Sequence, residues 1–315
     1  MIENYNMEDF GEEIKNIRRS LKMTQRSVRE RVGISENTLM KIEKGLVIPK
    51  YETLELLSLA YKLDLTAIFH KYRYDRSLET ILGKIDEAIV NNRPDKLEEC
   101  YELYLAYLNN NKNTANSPDW ELLDCFLINA IKYYRHDLKD FQSREMIQNI
   151  RETMQRVNPE LRWAHLSKTI FNMWEVRLLI LLALLEASLD HYDISINILE
   201  SIYGRFLKLR DQVVREQKVF LIALFNLSYH YHVTDQNEKA LDIATQGIDY
   251  GREVSDFTLL HGLYYRQGIA RYKLGMDNYM ESLRYAVTML EIMDRKKLAQ
   301  LYRSVTLKSY DIEIQ

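Results

Sequence analysis

The sequence predicts an all-α chain in two parts, a small N-terminal bundle built on a tight helical corner and a longer array of helical hairpins. Three observations carry this. Only four prolines and ten glycines occur in 315 residues, and no stretch sustains the alternation of apolar and polar residues that a half-buried strand requires. Hydrophobic residues make up 46% of the chain, ample core for two domains of roughly 100 to 200 residues each. Near the C-terminus a pattern of large, small, aromatic and small residues occurs twice.

The corner lies in residues 24–45. Thr24 and Ser35 each precede a short amphipathic run and can accept hydrogen bonds from the free N–H groups of a first helical turn. Gly33 between them can take the positive φ that a tight corner needs. Val28, Val32, Ile34, Leu39 and Ile42 recur at the spacing that packs one short helix on the other. Two such helices form a helix-turn-helix, a device for reading DNA. Charge agrees locally: residues 14–50 hold ten Lys or Arg against three Glu, a balance of +7, while the whole chain is −3. A focused basic patch on a mildly acidic body is expected where one domain meets phosphate and the rest does something else.

With Ile14, Ile17 and Leu21 before it and Gly45, Pro49, Leu54, Leu57 and Leu63 after it, this stretch resembles the lambda-repressor-like (Cro/C1, XRE-type) domain over roughly residues 9–72. The resemblance implies that Thr24 and Gln25, with Arg26 beside them, meet phosphates. It implies that Glu36, Asn37 and Lys41, joined by Met40 and by Ser35 at the helix start, face the bases. It also implies an ion pair between Arg18 and Glu43. One position departs from the pattern: Arg29 stands where the family usually has a small residue, and its long side chain must turn outward past a close helix crossing.

Residues 1–72 are therefore expected to form the DNA-binding domain and 73–92 a linker helix, with Leu78, Ile81, Leu82, Ile85 and Ile89 as an apolar stripe. That helix is expected to end near Asn91, Asn92 and Pro94. Residues 93–315 form the hairpin array. Asn116-Ser117-Pro118 and Asn158-Pro159 predict helix starts by capping residue and early proline, and 109–116 a polar surface turn.

The clearest repeat runs through Leu227, Ser228, Tyr231, Ala240 and Leu241 and again through Tyr264, Gly268, Leu274, Ser282 and Leu283, the order typical of a tetratricopeptide (TPR) hairpin. Ser228 and Gly268 lie 40 residues apart, so the helices or loops are longer than in a standard repeat of roughly 34. A degenerate hairpin over 174–203 has Ser195 at its small-residue position. About five such TPR-like pairs are expected in a right-handed superhelix, since a lone pair cannot bury its apolar face.

A helix-turn-helix followed by degenerate TPR-like repeats in a chain of this length resembles the RRNPP family of peptide-pheromone-responsive transcriptional regulators, the PlcR, Rgg and NprR class. The resemblance covers nearly the whole chain and is most specific in FNLSYHYHVTDQNEKAL and LYYRQGIARYKL. It implies a cytoplasmic bacterial quorum-sensing regulator whose concave TPR surface binds a short signalling peptide and whose homodimer reads an inverted-repeat operator in double-stranded DNA. The alternative is a helix-turn-helix transcription factor whose TPR domain binds a protein partner or only dimerises, without a peptide ligand.

The residues themselves suggest a groove in the same place. Leu224, Leu227, Ser228 and Tyr231 face a neighbouring helix, which leaves Asn226, Tyr229 and Val233 on the other side. Asn offers a donor and an acceptor to the main chain of an extended peptide. Tyr265, Arg266, Ile269 and Tyr272 hold comparable positions in the next repeat, while Ile180 and Leu184 stand where the family's earlier Asn would be. The 78–89 stripe offers an apolar face for a dimer. No cofactor or metal is expected: His230 and His232 are two apart and point to different sides of a helix, and no phosphate-binding glycine loop, nucleophile elbow or metalloprotease motif occurs, so the chain does not read as an enzyme. The apolar run 178–185 is too short for a membrane span, and Cys100 and Cys125 in helical stretches suit a reducing cytoplasm.

Overall fold

The computed structural model describes residues 6–72, 76–110, 118–135, 138–169, 171–209 and 217–314, and every regular element among them is a helix. The chain divides into two compact units, residues 1–85 with 99–117, and 86–98 with 118–315. Most of the predicted polar turn, at 111–116, and the side chain of Leu78 lie outside the described residues.

The first unit opens with α1 (Met7–Ser20), α2 (Gln25–Val32), α3 (Glu36–Glu43), α4 (Tyr51–Tyr61) and α5 (Leu65–Lys71). Thr24 and Ser35 cap α2 and α3, each accepting from the N–H three residues on. Gly33 closes α2 in the left-handed region at φ 76°. One core of Phe10, Ile14, Val28, Leu39, Ile42, Leu57 and Leu65 unites all five helices. Gly11 sets the closest approach: a Cβ there would stand 2.5 Å from the Ile42 carbonyl oxygen, so only glycine lets α1 lie on the end of α3.

Next come α6 (Arg76–Val90) and α7 (Pro94–Asn110), joined by a turn through Asn92 at φ 51° and divided between the two units. Here one expectation is corrected. Ile81 and Ile85, proposed from sequence as part of an exposed dimer face, are buried within the chain. Leu82 and Ile89 are half-buried.

The second unit is a stack of hairpins. Its helices are α8 (Pro118–Tyr134), α9 (Asp140–Val157), α10 (Met173–Ser188), α11 (Tyr192–Leu209), α12 (Gln217–Val233), α13 (Asn237–Glu253), α14 (Leu260–Lys273), α15 (Tyr279–Ile292) and α16 (Lys296–Tyr310). From α10 onward each helix packs on the next. Several turns are closed by a single residue in the left-handed region: Asp190, Asp235, Ser255, Gly275 and Asp294. Asn158-Pro159, expected to start a helix, instead ends one. Asn158 caps the C-terminus of α9, a 3-10 turn spans Trp163–Lys168, and the next helix starts at Asn172, whose side chain forms a capping box with Glu175.

Small residues let the hairpins close. Ser195, Ser228 and Ala240 are fully buried, and a Cβ on Gly268 would meet the Leu283 side chain at 2.7 Å. The apolar run 178–185 is the centre of α10, buried on nearly every side, and among the described residues no helix is long and apolar enough to cross a membrane.

Candidate nucleic-acid interface and ligand groove

In the first unit α3 is held from behind by a buried ion pair. Arg18 donates to both carboxylate oxygens of Glu43, at 2.6 and 2.9 Å, and to the Met23 carbonyl at 2.8 Å. That bidentate contact, above all the hydrogen bond to Glu43, raises the guanidinium pKa further. Tyr61 is buried beside the pair with no hydrogen-bond partner for its hydroxyl, and burial first, then the charge of Glu43, pushes its ionisation well above the ordinary phenol range.

On the outer side Asn37 and Lys41 are exposed, Glu36 and Met40 half-buried, and Ser35 sits exposed at the start of α3. A cleft of about 500 Å³ opens between α1, α2 and α3. Thr24, Gln25, Arg26, Glu36 and Met40 line it, and so do Lys15, Arg19 and Lys44, which the sequence reading counted only in its charge balance. Arg19, at the end of α1, could have been singled out by its i+4 spacing from Lys15.

Two assigned residues are already engaged. Gln25 donates its amide to Glu43 at 2.9 Å, so it braces the ion pair, and Arg26 pairs with Glu30 across one turn at 2.9 Å. The Arg26 pair is fully solvated and weak, so a phosphate can displace Glu30 at little cost. Arg29 turns outward as its length demands, reaching Glu36 at 3.5 Å.

In the second unit Tyr229 of α12, Tyr265 and Arg266 of α14, and Tyr302 and Tyr310 of α16 come together. The Arg266 guanidinium carbon lies 4.3 Å from the centre of the Tyr229 ring and 5.7 Å from that of Tyr265. The rings of Tyr265 and Tyr302 are 4.3 Å apart. The Tyr265 hydroxyl is bonded to Thr306 at 2.8 Å, and the exposed Tyr272 donates to the Tyr310 carbonyl at 3.2 Å. Tyr302, Thr306 and Tyr310 were missed from sequence, although they repeat every fourth residue and so mark one face of α16.

One predicted groove residue needs correction. Ile269 is fully buried, on the side of α14 that faces the core, and offers nothing to a ligand. Asn226 donates one amide hydrogen to the Ile222 carbonyl at 2.8 Å, so its second N–H and its carbonyl oxygen remain for a ligand. Ile180 and Leu184 line a small apolar hollow with Phe126 and Ile222.

Histidines complete the surroundings. Ser195 spends its single proton on the Ala183 carbonyl at 2.7 Å, so the 2.8 Å contact with His230 requires Nδ1 of the imidazole to donate. His232 shares a 3.0 Å hydrogen bond with the Tyr310 hydroxyl through Nε2, and His261 one of 3.2 Å with Tyr302 through Nδ1. All three have pKa values lowered to about 4, mainly by burial, with Arg266 adding to the shift at His230 and His232 and Arg295 at His261. Among the described residues no group of His, Cys, Asp or Glu is arranged to hold a metal ion.

The family model for the helix-turn-helix domain matches residues 11–73. No curated protein matches the chain by sequence. Among solved structures, PlcR of Bacillus thuringiensis in complex with the peptide PapR7 and DNA is 17% identical, with a TM-score of 0.65 over 93% of this chain and 99% of that one. A putative transcriptional regulator from Listeria monocytogenes is 16% identical, with a TM-score of 0.64 over 98% and 100%. A cysteine-to-serine variant of the SHP pheromone receptor Rgg2 of Streptococcus dysgalactiae is 12% identical, with a TM-score of 0.59 over 95% and 99%. This chain thus carries a helix-turn-helix domain and has, over nearly its whole length, the all-helical fold of the RRNPP-type regulators PlcR and Rgg2.

Proposed function

We propose that the protein is a cytoplasmic transcriptional regulator that binds an inverted-repeat operator as a homodimer and is switched by a short peptide held in the second unit. In this reading residues 1–72 read DNA, 73–92 join the domains, and 93–315 bind peptide and dimerise. The observation that carries it is the pairing, on one chain, of an exposed α3 beside a basic cleft with an aromatic groove whose hydrogen-bonding groups are not all satisfied. Support comes also from the solved PlcR complex, which contains both a peptide and DNA.

For DNA, Lys15, Arg19, Arg26 and Lys44 supply the phosphate contacts that set affinity and its salt dependence, while Asn37 and Lys41 reach base edges. Asn37→Ala or Lys41→Ala is expected to weaken operator binding by about 1 to 3 kcal/mol and to relax base preference. Arg26→Ala is expected to weaken binding to every sequence alike and to flatten the salt slope. Titrations of operator and scrambled duplexes at several salt concentrations distinguish these. Equal operator affinity for the wild type and Asn37→Ala would remove Asn37 from the readout.

For the ligand, an extended peptide of roughly five to ten residues is expected along α10, α12 and α14. Its apolar side chains would meet the hollow at Ile180 and Leu184, one of its N–H groups would meet the Asn226 oxygen, and Tyr229, Tyr265 and Tyr272 would flank it. Asn226→Ala leaves that N–H without its acceptor and is expected to cost on the order of 1 to 3 kcal/mol of peptide affinity with folding intact. Peptide and operator affinities are linked reciprocally, so a switching peptide must bind differently when DNA is present. Calorimetry with synthetic peptides from short reading frames beside the gene, repeated with operator bound, measures both. Identical peptide affinity with and without DNA would exclude gating by equilibrium coupling.

A further inference from the structure

Arg266 sits in the groove in an unusual electrical situation. Its guanidinium is packed between Tyr229 and Tyr265, and the groups that act on its charge are four tyrosines, 229, 265, 302 and 310, with no carboxylate among them. Burial pulls its pKa below the ordinary value, and its Nε donor is buried without an acceptor. Two further buried nitrogens nearby lack partners, Nδ1 of His232 and Nε2 of His261. Among the described residues, the groups that act on the Arg266 charge are thus all tyrosines.

A cation taken out of water is costly unless an anion meets it. Stacking on a tyrosine face supplies part of the compensation. It also has a geometric effect: a ring that lies against the face of a guanidinium leaves the in-plane N–H donors at its edge. That edge is the fork that fits a carboxylate with two parallel hydrogen bonds.

We infer that Arg266 is the receptor for a carboxylate of the bound peptide, either its C-terminal carboxylate or the side chain of an Asp or Glu. This rests on the peptide-groove reading above. Tyr229 and Tyr265 hold the guanidinium plane, and α16 closes the far side through Tyr302 and Tyr310. The anion completes a site in which, among the described residues, tyrosines alone act on the positive charge. Peptides with no carboxylate leave that charge uncompensated and are rejected.

The test uses three pools of random heptapeptides on immobilised full-length protein, with retained species identified by mass spectrometry. The first pool has a free C-terminus and no Asp or Glu. A second is amidated and lacks Asp and Glu, and the third is amidated but includes them. Expected is at least a tenfold preference for the first or the third pool over the second, and which of the two is favoured assigns the carboxylate to the terminus or to a side chain. Arg266→Met is expected to abolish the preference and Arg266→Lys to retain only part of it. The contrast among pools is read on the wild type, so it stands even if a variant folds poorly. Equal retention of all three pools by the wild type overturns the carboxylate assignment while leaving a peptide groove intact. Retention of no pool overturns the groove reading and this inference with it.

Discussion

Lowering the pH from about 7 to about 4.5 is expected to strip the second unit of much of its stability, well before most carboxylates titrate. His230, His232 and His261 have pKa values of about 4 in the folded chain, against an ordinary value of 6.5. The folded state therefore binds fewer protons than the unfolded one between those two values. The stabilisation is complete above 6.5 and drains away as the pH falls from 6.5 through 4. For the well-buried His230 and His261 a shift of that size corresponds to about 3 kcal/mol each. The cause is physical: His230 faces Ser195, Tyr192, Tyr229 and the charge of Arg266, and His261 faces Tyr302 and the charge of Arg295, so neither imidazolium would find an anion. Urea denaturation at the two pH values, for the wild type and for His261→Phe, separates this from carboxylate effects. A wild-type midpoint that does not move between pH 7 and 4.5 would show that the imidazoles are not buried neutral.

Glu43→Ala is expected to destabilise the first unit by about 3 to 5 kcal/mol, the cost of leaving the Arg18 guanidinium buried and unpaired. The same substitution releases Gln25, which donates to Glu43. Since α3 is only eight residues long, it cannot persist once its brace to α1 is lost. Replacing both partners, Arg18→Met with Glu43→Leu, is expected to recover most of the loss, because the penalty arises from the orphaned charge and not from the missing attraction. Thermal melts of the two variants decide the matter: a double variant as unstable as Glu43→Ala alone would mean that the pair is needed for its shape. Operator binding should follow stability in both.

The helix-turn-helix was legible residue by residue because its signals are local. Caps at Thr24 and Ser35, the left-handed glycine at 33 and the apolar spacing of α2 and α3 all act within a few residues of where they are written. The Arg18 and Glu43 pair came from resemblance, and no local rule would have found two residues 25 apart. In the second unit, α12 to α15 could be read from small residues that must be buried for a hairpin to close.

The groove was only half legible. Helical spacing grouped Tyr229 and Arg266, which do meet, but it could not reveal that α16 returns to the same place, since that depends on how several hairpins add up in space. The error at Ile269 has the same origin: α14 is buried on nearly all sides, so periodicity gave no contrast between its core and groove faces. Asn158-Pro159 failed differently. The pair can end one helix as readily as begin another, and the tie was broken by Asn172 and Glu175, which offer both halves of a capping box.

An array of hairpins that touch only their neighbours would fray from either end, one pair at a time. Here α16 also reaches back to α12 through the hydrogen bond between Tyr310 and His232, and to α14 through those from Thr306 to Tyr265 and Tyr302 to His261. These ties span from 41 to 78 residues of sequence, and none can be loosened without disturbing the others. The last two hairpins and α16 therefore open together or not at all, as one cooperative foldon with amide protection set by the whole block.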